Sequence, residues 1–301
     1  MRKRIAAIIN PVSGRRDMMP TVRKIAGEIR RAGGTLDLLT TERFGHATIL
    51  ASNLHADVEA VLVVGGDGTV CEVVNGLVER PLPFAILRTG TENLLARELG
   101  MPTEPPRVAR TLLQGEPMAV DVGVINNRRF LAVASAGFDA ECVLRLSLQR
   151  KGHITHWDYF WPIWRSFWAH RFPTLRIDVD EERVFEGKGL AIFGVIGRYS
   201  VGMRVLNRAR IDDGLLDICI FPCRSRSGLL AHIARVFCGR HLDGDHTLYR
   251  QCKKITITSP SMVPVQVDGD AGGHLPADCS ILPNAIRVLK MKSSGGRPGR
   301  S

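Results

Sequence analysis

A chain of 301 residues is long enough for two domains with separate cores. With 24% charged and 45% apolar residues it reads as a folded globular protein, and no window reaches the ~18 uninterrupted apolar residues of a membrane helix. Its 41 Lys and Arg against 30 Asp and Glu leave a net charge of +11, a surface that attracts nucleotides, acidic lipid headgroups or nucleic acid.

Met1-Arg2-Lys3-Arg4 is basic, but the apolar run after it is too short for a signal peptide. The seven cysteines form no C-x-x-C pair and suit a reducing cytoplasm. From there strand and helix alternate. Strands are expected at 4–10, 36–40, 59–64 and 84–87, and helices at 18–32, 46–55, 70–79, 92–99 and 106–113. This order predicts an α/β, doubly wound, Rossmann-like domain over residues 1–125. Ligands of such a sheet gather at the C-terminal strand ends, where loops 10–16, 65–69 and 88–93 would lie. From about residue 117 strand-like runs dominate: 119–125, 129–135, 174–179, 189–196, 215–221, 253–258, 263–267 and 285–290. Helices are expected near 139–150, 156–170 and 226–238. They predict a C-terminal β-rich sandwich over 126–284. The last strand, 285–291, is free to return to the first domain, and 292–301 reads as a disordered tail.

The most informative segment is Val61-Leu62-Val63-Val64-Gly65-Gly66-Asp67-Gly68-Thr69, followed by a helix with apolar residues at 70, 73, 74 and 77. Its glycines let the backbone come close to a bulky ligand, and the unpaired N–H groups of the turn form an anion site. Asp67 would repel phosphate there unless a divalent cation stood between them, which suggests a nucleotide with magnesium. An ordinary strand-to-helix turn is the plain alternative.

Asn10-Pro11-Val12-Ser13-Gly14-Arg15-Arg16 offers turn geometry, donors and arginines for phosphate. Gly90-Thr91-Glu92-Asn93 offers a second set of donors at the same edge, or simply a helix cap. Asp212-Asp213-Gly214-Leu215-Leu216-Asp217 gathers hard oxygen ligands for Mg²⁺ or Ca²⁺, or forms a polar turn. Asp268-Gly269-Asp270 closes an alternating strand with two carboxylates that could hold a metal-bound water or accept a hydroxyl proton; a β-turn is again the simple reading. Trp157, Trp161, Trp164 and Trp168 fall within about 60° of one helix face, beside Arg165, His170 and Arg171. This stripe suits either a membrane–water interface or packing on the sandwich, and an apolar acyl-chain channel beneath it would reconcile the two. No Walker A loop, protein-kinase signature, H-E-x-x-H or G-x-S-x-G is present.

Together these segments resemble the diacylglycerol kinase-type lipid kinases, including the bacterial soluble enzymes and sphingosine kinases. The resemblance runs from residue 5 to about 290. It is carried by Asn10-Pro11-x-Ser13-Gly14, by Gly65-Gly66-Asp67-Gly68-Thr69 with Glu72, Asn75 and Gly76, and by Gly90-Thr91-x-Asn93 with Ala96. Gly137-Phe138-Asp139, Asp213-Gly214-Leu215-Leu216-Asp217 and Asp268-Gly269-Asp270 follow in order. It implies ATP in a cleft between the domains, held by Asn10, Ser13, Gly14, Gly65, Gly66, Asp67, Gly68, Thr69, Glu72 and Asn93 with support from Thr41 and Thr91. It also implies a structural Mg²⁺ near Asp213 with the carbonyls of Arg210 and Leu215. Asp268 and Asp270 would be the catalytic acidic pair, organising catalytic Mg²⁺ with Asp67. The family usually carries Glu where Asp270 stands, though a loose phosphoryl-transfer transition state asks little of a base.

The expected protein is a cytoplasmic, peripherally membrane-associated ATP- and Mg²⁺-dependent kinase of a membrane lipid, most readily diacylglycerol. Its partner is the lipid at an anionic surface and not nucleic acid, and a homodimer is compatible with this reading. NAD kinase-like phosphorylation of a soluble acceptor and a non-catalytic nucleotide or lipid sensor are the alternatives.

Overall fold

The computed structural model describes residues 1–14, 17–90, 92–149, 156–199 and 203–291. The chain forms two compact units, Met1–Val120 with the chain from Asn284 onward, and Asp121–Pro283. The expected tail at 292–301, and Arg15, Arg16 and Thr91, lie outside the described residues.

The first unit is the α/β half. Its strands β1 (Arg4–Ile9), β2 (Thr35–Thr40), β3 (Ala60–Gly65), β4 (Phe84–Arg88) and the end of β15 (Ala277–Lys290) are ordered β15-β4-β3-β1-β2. All neighbours run parallel, Ile9 lying beside Thr40 and Val64, and Val288 beside Phe84. β3 is buried at every position, as expected of a parallel strand covered on both faces. Helices α1 (Met19–Arg31), α2 (His46–Ser52), α3 (Asp67–Gly76), α4 (Leu94–Glu98) and α5 (Pro105–Gln114) belong to this unit. Apolar residues three, four and seven apart on α1 and α5, such as Val22, Ile25, Ile29, Val108 and Leu112, share a core with Ile5, Leu62 and Leu289. The chain crosses from β2 on one side of β1 to β3 on the other. The switch point where such folds bind ligands therefore falls at the ends of β1 and β3.

Helix α3 starts at Asp67 and not near residue 70, so the glycine turn is the helix's own N-terminus. Gly76, at its other end, faces α2: a Cβ there would stand 2.3 Å from the Thr48 carbonyl oxygen. Only glycine lets these helices approach so closely.

The second unit is antiparallel. It contains β5 (Glu116–Ile125) beyond Val120, β6 (Arg128–Phe130), β7 (Val133–Ala136), β8 (Thr174–Val179), β9 (Glu182–Gly194), β10 (Leu216–Pro222), β11 (Leu248–Cys252), β12 (Lys254–Thr258), β13 (Pro264–Val267) and β14 (Asp270–His274). Strand β9 pairs first with β8, then continues between β7 and β10, so it serves both sheets of the sandwich. Strand β13 lies between β7 and β14. The helices are α6 (Phe138–Gln149), α7 (His156–Ala169) and α8 (Arg226–Phe237).

Several strands differ from expectation. The run 129–135 is divided into β6 and β7, β9 begins at 182, β15 begins at 277, and β11 and β14 are additional. The hairpin turns explain part of this. Asn126-Asn127, Asp180-Glu181 and Asp268-Gly269 all hold both residues at positive φ, the backbone of a two-residue hairpin. Only Asp268-Gly269 carries the residue pair that announces such a turn. The opening of β9, Glu182-Arg183-Val184-Phe185-Glu186, is mostly polar and exposed, so no apolar run marks it.

Candidate active site

Three strand ends of the first unit are joined into one assembly. The backbone N–H of Asn10 donates to the Val64 carbonyl at 2.9 Å, and its side-chain Nδ2 donates to Thr69 Oγ1 at 3.0 Å. Its Oδ1 accepts from the N–H of Val12 at 3.2 Å, which rounds the chain toward Ser13. Thr89 Oγ1, just beyond β4, donates to Ser13 Oγ at 2.8 Å. Gly14 has φ +86° and approaches Thr89 so closely that a Cβ would stand 2.0 Å from its carbonyl oxygen. A Cβ on Gly90 would lie 3.0 Å from Gly66 Cα, and one on Gly65 would lie 2.5 Å from Thr69. Thr41, buried at the end of β2, donates its N–H to the Ile9 carbonyl at 2.8 Å.

The first-turn amides of α3, at residues 67–69, have no intrahelical acceptor, and the helix dipole makes their end positive. Above Gly68 no atom lies within 4 Å of where a Cβ would be. An open, glycine-floored helix N-terminus fits a phosphate chain.

The carboxylate of Asp67, for which the sequence reading expects a cation, accepts hydrogen bonds from the amides of Leu94, Leu95 and Asn93 at the start of α4. Burial pushes its carboxyl above the usual range, those amides oppose the shift, and the Glu92 charge adds to it. Glu72, expected among the nucleotide contacts, turns to α2: its Oε2 accepts from Ala47 N–H at 3.1 Å, and its carbonyl accepts from Thr48 Oγ1 at 2.9 Å. It caps a helix whose N-cap, Gly45, has no side chain for that purpose. Asn93 sits at φ 47°, its Oδ1 accepting from Gly90 N–H at 3.3 Å.

In the second unit, Asp268-Gly269 is the turn of the β13–β14 hairpin and Asp270 opens β14 opposite Val267. Asp268 Oδ2 accepts from Leu131 N–H at 2.8 Å, and Oδ1 accepts from Ala132 at 2.9 Å and Val133 at 3.1 Å. Three amides converge on this carboxylate and fix it over the turn. The side chain of Asp270 is 41% exposed, with the Arg128 guanidinium 3.7 Å away.

Asp213 lies in the turn before β10, where Oδ1 accepts from Leu215 N–H at 3.1 Å. Asp121, not singled out from sequence, brings its Oδ2 to the N–H of Gly214 at 2.7 Å. Burial, and then the Asp121 charge, push the Asp213 carboxyl up, while the Leu215 amide and Arg210 oppose. Two like charges across a tight turn are a setting a hard cation relieves. Among the described residues no three His, Cys, Asp or Glu side chains converge as metal ligands. A cation here would thus depend on carbonyls, such as those of Arg210 and Leu215, and on water.

Two apolar features accompany these groups in the second unit. A cavity of about 170 Å³ is lined by Leu190, Ile192, Phe221, Leu229, Ile233 and Val236, with Asp139 and Tyr199 among its few polar groups. On α7, Trp161, Trp164 and Trp168 are 63%, 46% and 54% exposed, while Ser166 on the opposite face and His170 just past the helix end are buried. The tryptophans described thus face outward, against the packing alternative; the side chain of Trp157 lies outside the described residues. Arg226, at the start of α8, stacks 5.4 Å from the Trp168 ring centre, and Arg165 and Arg171 are exposed.

Residues 4–125 match the diacylglycerol kinase catalytic domain, and residues 132–290 match the YegS C-terminal NAD kinase beta sandwich-like domain. A diacylglycerol kinase of Staphylococcus carnosus (strain TM300) is 30% identical over 297 residues, covering 97% of this chain and 96% of that protein. The chain belongs to the diacylglycerol kinase family. It is therefore an enzyme of the lipid kinase type, and the sequence resemblance holds for both halves. A diacylglycerol kinase of Staphylococcus aureus (strain MRSA252) is 29% identical over 294 residues, with coverage of 96% and 93%. Two crystal structures from Bacillus anthracis str. Sterne share the fold. One aligns with a TM-score of 0.75 at 24% identity, covering 97% of this chain and 98% of the other. The second has a TM-score of 0.72 at 22% identity, covering 97% of each. Among the described residues, no helix is long and apolar enough to cross a membrane.

Proposed function

We propose that this enzyme transfers the γ-phosphoryl group of ATP, with Mg²⁺, to the hydroxyl of diacylglycerol at an anionic membrane surface. The observation that carries the proposal is the glycine-floored assembly at the N-terminus of α3, tied to the neighbouring strand ends through Asn10–Thr69 and Ser13–Thr89. The amides of residues 67–69 hold phosphate oxygens, and the absence of side chains at Gly66 and Gly68 leaves room for them. Magnesium, when bound, neutralises charge on the phosphates. Positioning and preorganised donors supply most of the acceleration. Asp270 accepts the proton of the lipid hydroxyl, and Asp268 holds the turn that carries it.

The acceptor assignment draws support from the outward tryptophans of α7 with Arg165, Arg171 and Arg226 beside them, an arrangement suited to the interface of an anionic bilayer. Each basic residue near such a surface contributes about 1 kcal/mol. The apolar cavity takes an acyl chain. This makes the protein a cytoplasmic enzyme that visits the membrane.

Transfer of radiolabelled γ-phosphate to diacylglycerol in mixed micelles tests the reading. Gly66→Asp places a charged side chain toward Ser13 Oγ and Gly90, 3.5 and 3.7 Å from its Cβ, and should abolish transfer. An unchanged rate in that variant overturns the proposal. The match of residues 132–290 to an NAD kinase-like sandwich favours a second reading, a soluble acceptor. Under that reading, activity would be indifferent to vesicles and would appear with NAD.

A further inference from the structure

We propose that Asp139 is a positioning residue for the acidic turn at 268–270, acting through the side-chain amide of Gln266. The proposal rests on the lipid-kinase reading of Asp270 and extends it to a hydrogen-bond chain reaching the apolar cavity. Gly137, at φ +110°, turns the chain from β7 into α6, and a Cβ there would stand 2.9 Å from Leu190 Cβ. The turn sets Asp139 in the first turn of α6, where the helix dipole favours an anion. It also returns the carboxylate to the pair Ser135 and Gln266, which lie opposite each other on β7 and β13 and are buried.

Asp139 accepts hydrogen bonds from the Ser135 hydroxyl, at 2.5 Å, and from Tyr199 and Gln266. A carboxylate acceptor fixes which end of the Gln266 amide faces it: the NH₂ group. The carbonyl end, Oε1, then points the other way and accepts from Gly269 N–H at 2.9 Å. Gly269 is the middle of the acidic turn, at φ +82°. The three amides on Asp268 hold one flank of that turn and Gln266 holds its centre. Asp270 has a short side chain with two torsions, so the position of its oxygens follows the turn backbone closely. Without Asp139 the Gln266 amide loses one of the two partners that orient it, and the bond to Gly269 N–H is left to hold it alone. Burial raises the Asp139 carboxyl above its usual range, and the three donors oppose that shift, in keeping with a group held in place and not exchanged with solvent. The same carboxylate and Tyr199 line the apolar cavity, so an occupant there touches one end of the chain of bonds whose other end is Gly269.

The test is a double-mutant cycle on the full chain, with kcat and KM measured for ATP and for diacylglycerol in mixed micelles. Asp139→Ala and Gln266→Met should each lower kcat, by up to about 100-fold for a displacement of about 1 Å, with KM for ATP unchanged. The double variant should be no slower than Gln266→Met alone, because Asp139 acts only through that amide. Losses that multiply, or a loss confined to KM, overturn the proposal. Melting temperatures accompany each rate. If Asp139→Ala does not fold, Tyr199→Phe takes its place: it should slow the wild type and leave Gln266→Met unaffected, and equal slowing of both would be fatal. A wild type that phosphorylates no lipid refutes the function itself, an outcome distinct from any pattern among the variants.

Discussion

Asp268→Asn separates a structural from a chemical role for the first member of the acidic pair. Asparagine tolerates the left-handed backbone at this position, φ 51°, so the substitution adds little backbone strain. Its carbonyl oxygen can still serve the amides of Ala132 and Val133, which share Oδ1. Its NH₂ group must then face the N–H of Leu131, where Oδ2 now accepts at 2.8 Å. One charge-assisted hydrogen bond is lost, worth about 1.5–3 kcal/mol, and a buried amide is left without an acceptor. The two surviving bonds also lose their charge. The sum is about 3 kcal/mol of destabilisation, or a fall in Tm of roughly 6–12 °C for a unit of this size. Calorimetry or thermal circular dichroism measures the shift, and activity assayed well below the new Tm measures chemistry. Residual activity at the lower temperature is expected. An unchanged Tm with abolished transfer would refute the structural assignment and return Asp268 to the role of base.

The companion change, Asp270→Asn, should do the reverse. Its ion pair with Arg128, at 3.7 Å, is half exposed and worth at most about 1 kcal/mol, so stability should hold while kcat collapses. Replacing Trp161, Trp164 and Trp168 by alanine should leave Tm nearly unchanged, because all three are exposed, yet weaken co-sedimentation with anionic vesicles by about tenfold per tryptophan inserted. Unaltered vesicle binding would remove the interface role. Gly76→Ala drives a methyl to 2.3 Å from the Thr48 carbonyl and should cost about 1–3 kcal/mol, read as a lower denaturant midpoint. Burial lowers the pKa of His232 from 6.5, with Arg235 and His246 adding to the effect and the Pro222 carbonyl opposing it. The folded state therefore binds this proton less readily than the unfolded chain. Its contribution to stability is complete above 6.5 and is lost as pH falls from there toward the lowered value. His232→Phe should flatten the decline in unfolding free energy between pH 7.5 and 5.5; an identical slope in both proteins would contradict this.

Much of the first unit was legible because a parallel strand covered on both faces has to be apolar throughout, as β3 is. Its glycines were legible for a related reason. At Gly14, Gly65 and Gly76 a Cβ would collide with Thr89, Thr69 or Thr48, and no other residue type meets that demand. The second unit was read less completely. The start of β9 is mostly exposed, and β14 begins at a carboxylate, so neither carries an apolar signal. The pair Asp268-Gly269 does carry the hairpin signal, but a turn pair alone does not mark how far the strand after it extends.

The candidate site divides along the same line. Residue type alone established that a glycine-floored helix N-terminus could take phosphate and that carboxylates lay near positions 213 and 268, because backbone freedom and charge are properties of the residues themselves. What each carboxylate does was decided only by its partners. Asp67 answers the amides of α4, Glu72 those of α2, and Asp268 amides more than 130 positions earlier in the chain. Asp121 met Gly214, Thr89 met Ser13, and Gln266 met Asp139 through packing alone. A side chain's capacity to accept a hydrogen bond is written in its chemistry. Which donor takes it up depends on which distant backbone folding carries to within 3 Å, and no local pattern of residues encodes that.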